Sequence, residues 1–149
     1  MFGVRIMSVR AEDVAQYILE KMGVLPAMKL QKLCYYAQAW SLVWDEQKLF
    51  DNRIEAWANG PVTTGLYASH YRQYEVAEIK DGDSSKLADF QKETIDKVIN
   101  FYGGYTSKQL SDITHMEEPW KIARQGVPDG ERSNNEITLE SMANYYGRL

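Results

Sequence analysis

The chain has 149 residues, of which 44% are hydrophobic and 26% charged, a globular composition sized for one domain with a core that needs no covalent staple. A net charge of −4 and a pI near 5.2 disfavour non-specific nucleic-acid binding, which needs a basic face. One cysteine, Cys34, excludes an intrachain disulfide, and no apolar run is long enough to span a bilayer, so a cytoplasmic protein is expected.

The opening MFGVRIMSVR lacks the apolar run and cleavage site of a signal peptide. Residues 1–7 read as a disordered N-terminal arm before a domain over 8–149, and either Met1 or Met7 can serve as the start. Ser8 is placed to cap a first helix with Glu12 and Asp13 in its opening turns and an apolar stripe of Val14, Tyr17, Ile18 and Met22. Gly23 ends it, and Pro26 sits where the next helix begins.

That next helix, Met28 to Trp44, organises the chain. Leu30, Leu33, Cys34, Ala37, Ser41 and Trp44 line one face, and Tyr35, Tyr36, Leu42 and Val43 widen the apolar cover on both sides. A helix apolar on more than one side belongs at the centre of a domain. Its early charges, Lys29 and Lys32, oppose the helix dipole at a cost of about 0.3–1 kcal/mol each if exposed. They either reach an acidic partner or pair with Glu12, Asp13 or Glu20 of the same chain. Lys29, Lys32 and Tyr36 are the helix's candidates for contact with a partner, and Leu30, Leu33, Cys34 and Ala37 its core residues.

Arg53 to Asn59 alternates and reads as a short strand that Gly60-Pro61 breaks. Thr63 or Thr64 then caps a helix through Tyr71. Glu75 to Lys80 alternates weakly and is expected to pair with the Ile54 strand. Ser84 opens an amphipathic helix to Tyr102, stopped by Gly103-Gly104. Ser107 caps a short helix to about Thr114, Pro119 starts another that Gly126 ends, and 127–135 is the longest loop. After an extended Glu136 to Thr138, Thr138 caps a last helix carrying Leu139, Met142, Ala143 and Tyr146. The fold class is mainly α: a single compact helical domain around a central buried helix, with a minor short β element.

Catalytic groups are scarce, and no enzyme activity is expected. The most specific segment is LSDITHMEEPW, where His115 beside the carboxylate of Glu118 has the makings of a general base. The competing reading is that His115 holds the corner by hydrogen bonds while Trp120 fills the core. His115, Glu117 and Glu118 do not make a metal-ligand pattern, and no cofactor is implied. His70-Tyr71-Arg72-Gln73-Tyr74 is the nearest approach to a base-stacking basic face, and a weak one.

Four ordered segments, MKLQKLCYYAQAW, IEAWANGPVTTGLY, LSDITHMEEPW and a terminal EIT with its Met-Ala and Tyr-Tyr helix, resemble the phage-associated SocA-like proteins that share the Panacea domain. The resemblance runs from about Val14 to Tyr146. It implies an antitoxin of a bacterial or prophage toxin–antitoxin system that neutralises a cognate protein toxin by direct binding, the toxin being commonly encoded beside it. It also implies, for one branch, proteolytic adaptors that deliver the toxin to the ClpXP protease. Some relatives add a DNA-binding domain, which is not expected within these 149 residues. The matching positions are Lys29, Leu30, Lys32, Leu33, Tyr35 and Tyr36, then Glu55, Trp57, Gly60, Pro61 and Tyr67, then Leu110, Ser111, Thr114, His115, Pro119 and Trp120, with Cys34 where a larger aliphatic residue is expected. The alternatives are a small phage-associated enzyme using His115 with a carboxylate, and a phage structural or host-interaction protein.

Overall fold

The computed structural model describes residues 8–149. The arm expected over residues 1–7 lies outside them. Helix α1 (Ala11–Met22) is capped at Arg10, not at Ser8. The Asp13 carboxylate accepts the Arg10 N–H at 2.8 Å and reaches forward to accept the Asp83 N–H at 2.8 Å. A buried acid that ties down two backbone donors outcompetes an exposed serine as the helix start. Gly23, at φ +82°, ends α1 as expected.

Helix α2 (Ala27–Trp44) is the hub, packed against α1, β3 (Gly60–Thr63), α4 (Asp89–Tyr102), α5 (Ser107–His115) and α7 (Leu139–Tyr146). Twelve of its residues are buried, including Leu30, Leu33, Cys34, Ala37 and Ser41 of the expected stripe, whereas Trp44 is half exposed at its end. The strand β2 (Ile54–Trp57) does not pair with Glu75–Lys80. It forms an antiparallel hairpin with β3 (Gly60–Thr63), with Ile54 opposite Thr63 and Trp57 opposite Gly60. Gly60-Pro61 therefore starts a strand; the chain turns just before it, at Ala58-Asn59. The short strand β4 (Glu75–Val76) pairs instead with β1 (Leu25–Pro26), two residues that the helix signals around Pro26 obscured.

Helix α3 (Thr64–Ser69) stops before Tyr71. Asp83 caps a 3-10 turn at Ser84–Lys86, and helix α4 (Asp89–Tyr102) starts anew, with the Gln91 side chain accepting the Ala88 N–H at 2.8 Å. The expected start at Ser84 is thus five residues early, and Phe90 faces solvent. Helix α4 runs antiparallel to α2, with Gly103 beside Lys29 and Thr94 beside Asp45.

Helix α5 (Ser107–His115) is capped by Thr106, not Ser107, through reciprocal bonds with Gln109. Helix α6 (Glu118–Ala123) carries Pro119 in its first turn. Helix α7 (Leu139–Tyr146) is capped by Thr138 as expected. Glu136 bridges to Glu55 and covers the second edge of β2. Seven α-helices and two small antiparallel sheets among the described residues make this a mainly α fold around a central helix. No helix of the described residues is long and apolar enough to cross a membrane.

Candidate functional site

Side chains from α5, α6 and the residue after α6 converge on the β2–β3 hairpin. Ser111 Oγ donates to the Asn59 carbonyl at 2.6 Å, Trp120 Nε1 to the Trp57 carbonyl at 2.9 Å, and Arg124 to the Ala56 carbonyl at 3.0 Å. The hairpin presses Gly60 onto α2. Gly60 has φ +121°, and a Cβ there would lie 2.4 Å from Lys32 Cε and 3.0 Å from Thr114 Oγ1. Both the backbone and the space demand glycine. Gly60→Ala is expected to cost about 1–3 kcal/mol from backbone strain alone, read by urea unfolding. In a Lys32→Ala background the steric part of that loss should shrink to the Thr114 contact and the backbone part should remain.

Lys32 is fully buried, and its ammonium finds no hydrogen-bond partner among the described residues. Burial pushes its pKa down to about 7. Neither expectation for Lys32 holds: it does not face outward toward a partner, and it pairs with no acid. Glu12 instead holds Asn52 and Arg10, Asp13 the backbone described above, and Glu20 holds Gln16 and Ser84. Lys29 donates to the Gly103 carbonyl at 2.7 Å. It thus sits at the C-terminal end of α4, where a cation is favoured.

His115 stacks on Trp120 with ring centroids 4.0 Å apart, and its buried Nε2 has no hydrogen-bond partner. Burial, then the Lys32 charge, lowers its pKa. The expected corner is real, but stacking rather than hydrogen bonding from Nε2 holds the imidazole. The neighbouring carboxylates are committed elsewhere. Glu118 is exposed and meets Arg148 at 2.8 Å. Glu117 Oε1 accepts from both Tyr36 and Tyr146 hydroxyls at 2.7 Å.

Around Glu117 lies a buried aromatic network. Tyr36 stacks on Tyr102 at 3.9 Å, the Tyr35 and Tyr146 hydroxyls share a hydrogen bond at 3.1 Å, and Trp40 donates to the Tyr102 hydroxyl at 3.0 Å. Burial raises the Glu117 pKa against the lowering effect of its two phenols, and burial likewise raises every phenol of the network. Tyr36, expected as a partner contact, is therefore an interior residue. Pro61 and Pro119 are buried as well.

Sequence reasoning missed Gln31, Gln38, Glu117 and Arg124. Gln31 grips the Thr63 backbone through both its atoms and donates to His70, and the three bonds of Arg124 end on carbonyls. Gln31 and Gln38 lie seven residues apart in a helix without a solvent face. That spacing was the available signal that their amides serve buried backbone.

An open groove of about 460 Å³ lies against the hairpin. Met28 of α2, Trp57, Ala58 and Val62 give it an apolar floor, and Glu55, Asn59 and 132–134 form its polar edge. Of the residues expected to meet a partner, Trp57 lines it. Its ring packs edge-on against Tyr67 at 4.9 Å, and Tyr67 against the exposed Tyr71 at 5.7 Å, over which the Arg72 guanidinium sits.

The family model described as antitoxin SocA-like, Panacea domain, matches residues 30–121. The chain belongs to that family. The Panacea match takes in most of α2, the hairpin, α3, α4, α5 and the start of α6, so it covers the Lys32–Gly60 contact and the Trp120 clasp. It leaves the Arg132 edge of the groove and α7 outside. No curated protein and no solved structure matches the chain. No group of three or more histidine, cysteine or acidic residues among the described Panacea residues is arranged to hold a metal.

Proposed function

We propose that this Panacea protein neutralises a cognate protein toxin, encoded in an adjoining reading frame, by direct binding and without catalysis. Membership of the antitoxin family carries this reading. The placement of His115 supports binding over catalysis: its Nε2 is buried without a partner, and the nearby carboxylates are engaged with Arg148 and with two tyrosines. Exposed aromatics beside a groove are the usual material of a protein interface.

The test is co-expression. The adjoining gene product alone should arrest growth, and this chain should restore it. His115→Phe, which keeps the stack on Trp120, and Glu118→Ala should leave rescue intact. Rescue lost in either variant with an unchanged melting temperature would revive the enzyme reading. The same proposal includes delivery of the toxin to ClpXP as an adaptor. In that case the toxin's half-life should shorten when this chain is present and lengthen again without the protease. An unchanged half-life leaves neutralisation by binding alone.

A further inference from the structure

We infer that the groove between the β2–β3 hairpin and 132–134 is the surface that takes the partner, and that its occupant is an extended protein segment with an apolar side chain followed by a carboxylate. This rests on the neutralisation reading and names the face that performs it.

The chemistry of the walls selects the occupant. The floor, Met28, Trp57, Ala58 and Val62, suits an apolar side chain. The one acid of the lining is engaged: Glu55 accepts from Arg53 at 2.8 Å and from Trp57 Nε1 at 2.9 Å. Arg132 enters no ion pair among the described residues. Arg132 is thus the unpaired charge of the lining, and its guanidinium complements a carboxylate. Asn59 and Asn134 use their backbone carbonyls on Ser111 and Arg53, leaving their amide side chains available to a peptide backbone. The Trp57–Tyr67–Tyr71 ladder continues the surface beyond the groove and gives it aromatic anchors. The hairpin part of the floor falls within the family match, whereas Arg132 to Asn134 falls after it. The hairpin floor is thus the shared part, and the charged edge is where this chain chooses its partner.

The experiment measures binding of the full chain to the purified product of the adjoining reading frame, and to overlapping peptides tiling it. Arg132→Glu removes the edge charge and Ala58→Arg fills the floor, and neither side chain is needed by the fold. Lys97→Glu on α4 makes the same charge change away from the groove. The two groove variants should weaken binding about tenfold or more with unchanged melting temperatures, Lys97→Glu should not, and the best peptide should contain an acidic residue after an aliphatic or aromatic one. Full binding by both groove variants overturns the groove and leaves neutralisation standing. No binding by the parent chain overturns both. Loss of self-association with toxin binding untouched would assign the groove to a second copy and also overturn the proposal.

Discussion

Replacing Lys32 by methionine should stabilise the protein, on the order of 3–5 kcal/mol at pH 7 and below. The ammonium is buried without a partner, and its pKa falls from 10.5 to about 7 on folding. Every tenfold loss of proton affinity on folding corresponds to about 1.4 kcal/mol against the charged form. Methionine keeps the length of the side chain without the desolvation cost. The sign in pH follows from proton counting. Between about pH 7 and 10.5 the unfolded chain holds a proton on Lys32 that the folded chain does not, so parent stability rises with pH across that window and is flat in this group below it. The tyrosines limit the rise. Their folded pKa values are raised, to about 12 for Tyr17 and Tyr102, so above about pH 10 the unfolded state loses phenol protons first and stability falls. Urea unfolding from about pH 6 to about 9.5 should show a rising parent curve and a flatter, higher one for Lys32→Met. Parallel curves would mean that Lys32 titrates normally. The variant should also raise the His115 pKa part of the way, because burial depresses it more than the Lys32 charge does.

Gln38→Leu should be the most destabilising single change on the central helix. Gln38 Oε1 accepts the Leu49 and Phe50 N–H groups at 2.6 and 3.3 Å, and Nε2 donates to the Phe50 carbonyl at 2.7 Å, all buried. Leucine fits the volume but strands two donors and an acceptor at about 1–3 kcal/mol each. The three together amount to about 3–9 kcal/mol, and even the low end is a large fraction of the stability of a domain this size. Gln38→Glu keeps both acceptances and should cost less. A leucine variant within about 1 kcal/mol of the parent, a limit set by the net worth of one such bond, would show that water replaces the amide.

The helical frame was legible because it rests on apolar periodicity and stop signals: the span of α2, the Gly23 end of α1 and the Thr138 cap all stand as read. What failed was pairing. Gly60-Pro61 reads locally as a break, and nothing in those residues announces that Ser111, Trp120 and Arg124 will hold the hairpin carbonyls from 52 to 68 residues away. Lys32 misled for the same reason: hairpin and loop backbones occupy the side of α2 on which it, Gln31 and Gln38 lie. The groove was legible in one residue, Trp57. Its edge at 132–134 comes from a loop that only the folded chain brings there.

The hydrogen bond between the Tyr146 and Tyr35 hydroxyls joins α7 to the hub across 111 residues of chain. A ribosome adding about 5–20 residues per second emits α7 roughly 5–20 s after α2. For that interval the aromatic side of α2 that Tyr146 covers stays open to chaperones and proteases, although the family-matched segment is already made. Completion of the fold therefore waits on its final helix. Ribosome-bound chains arrested before Ser141 should remain protease-sensitive along α2, and chains extended past Gly147 should not.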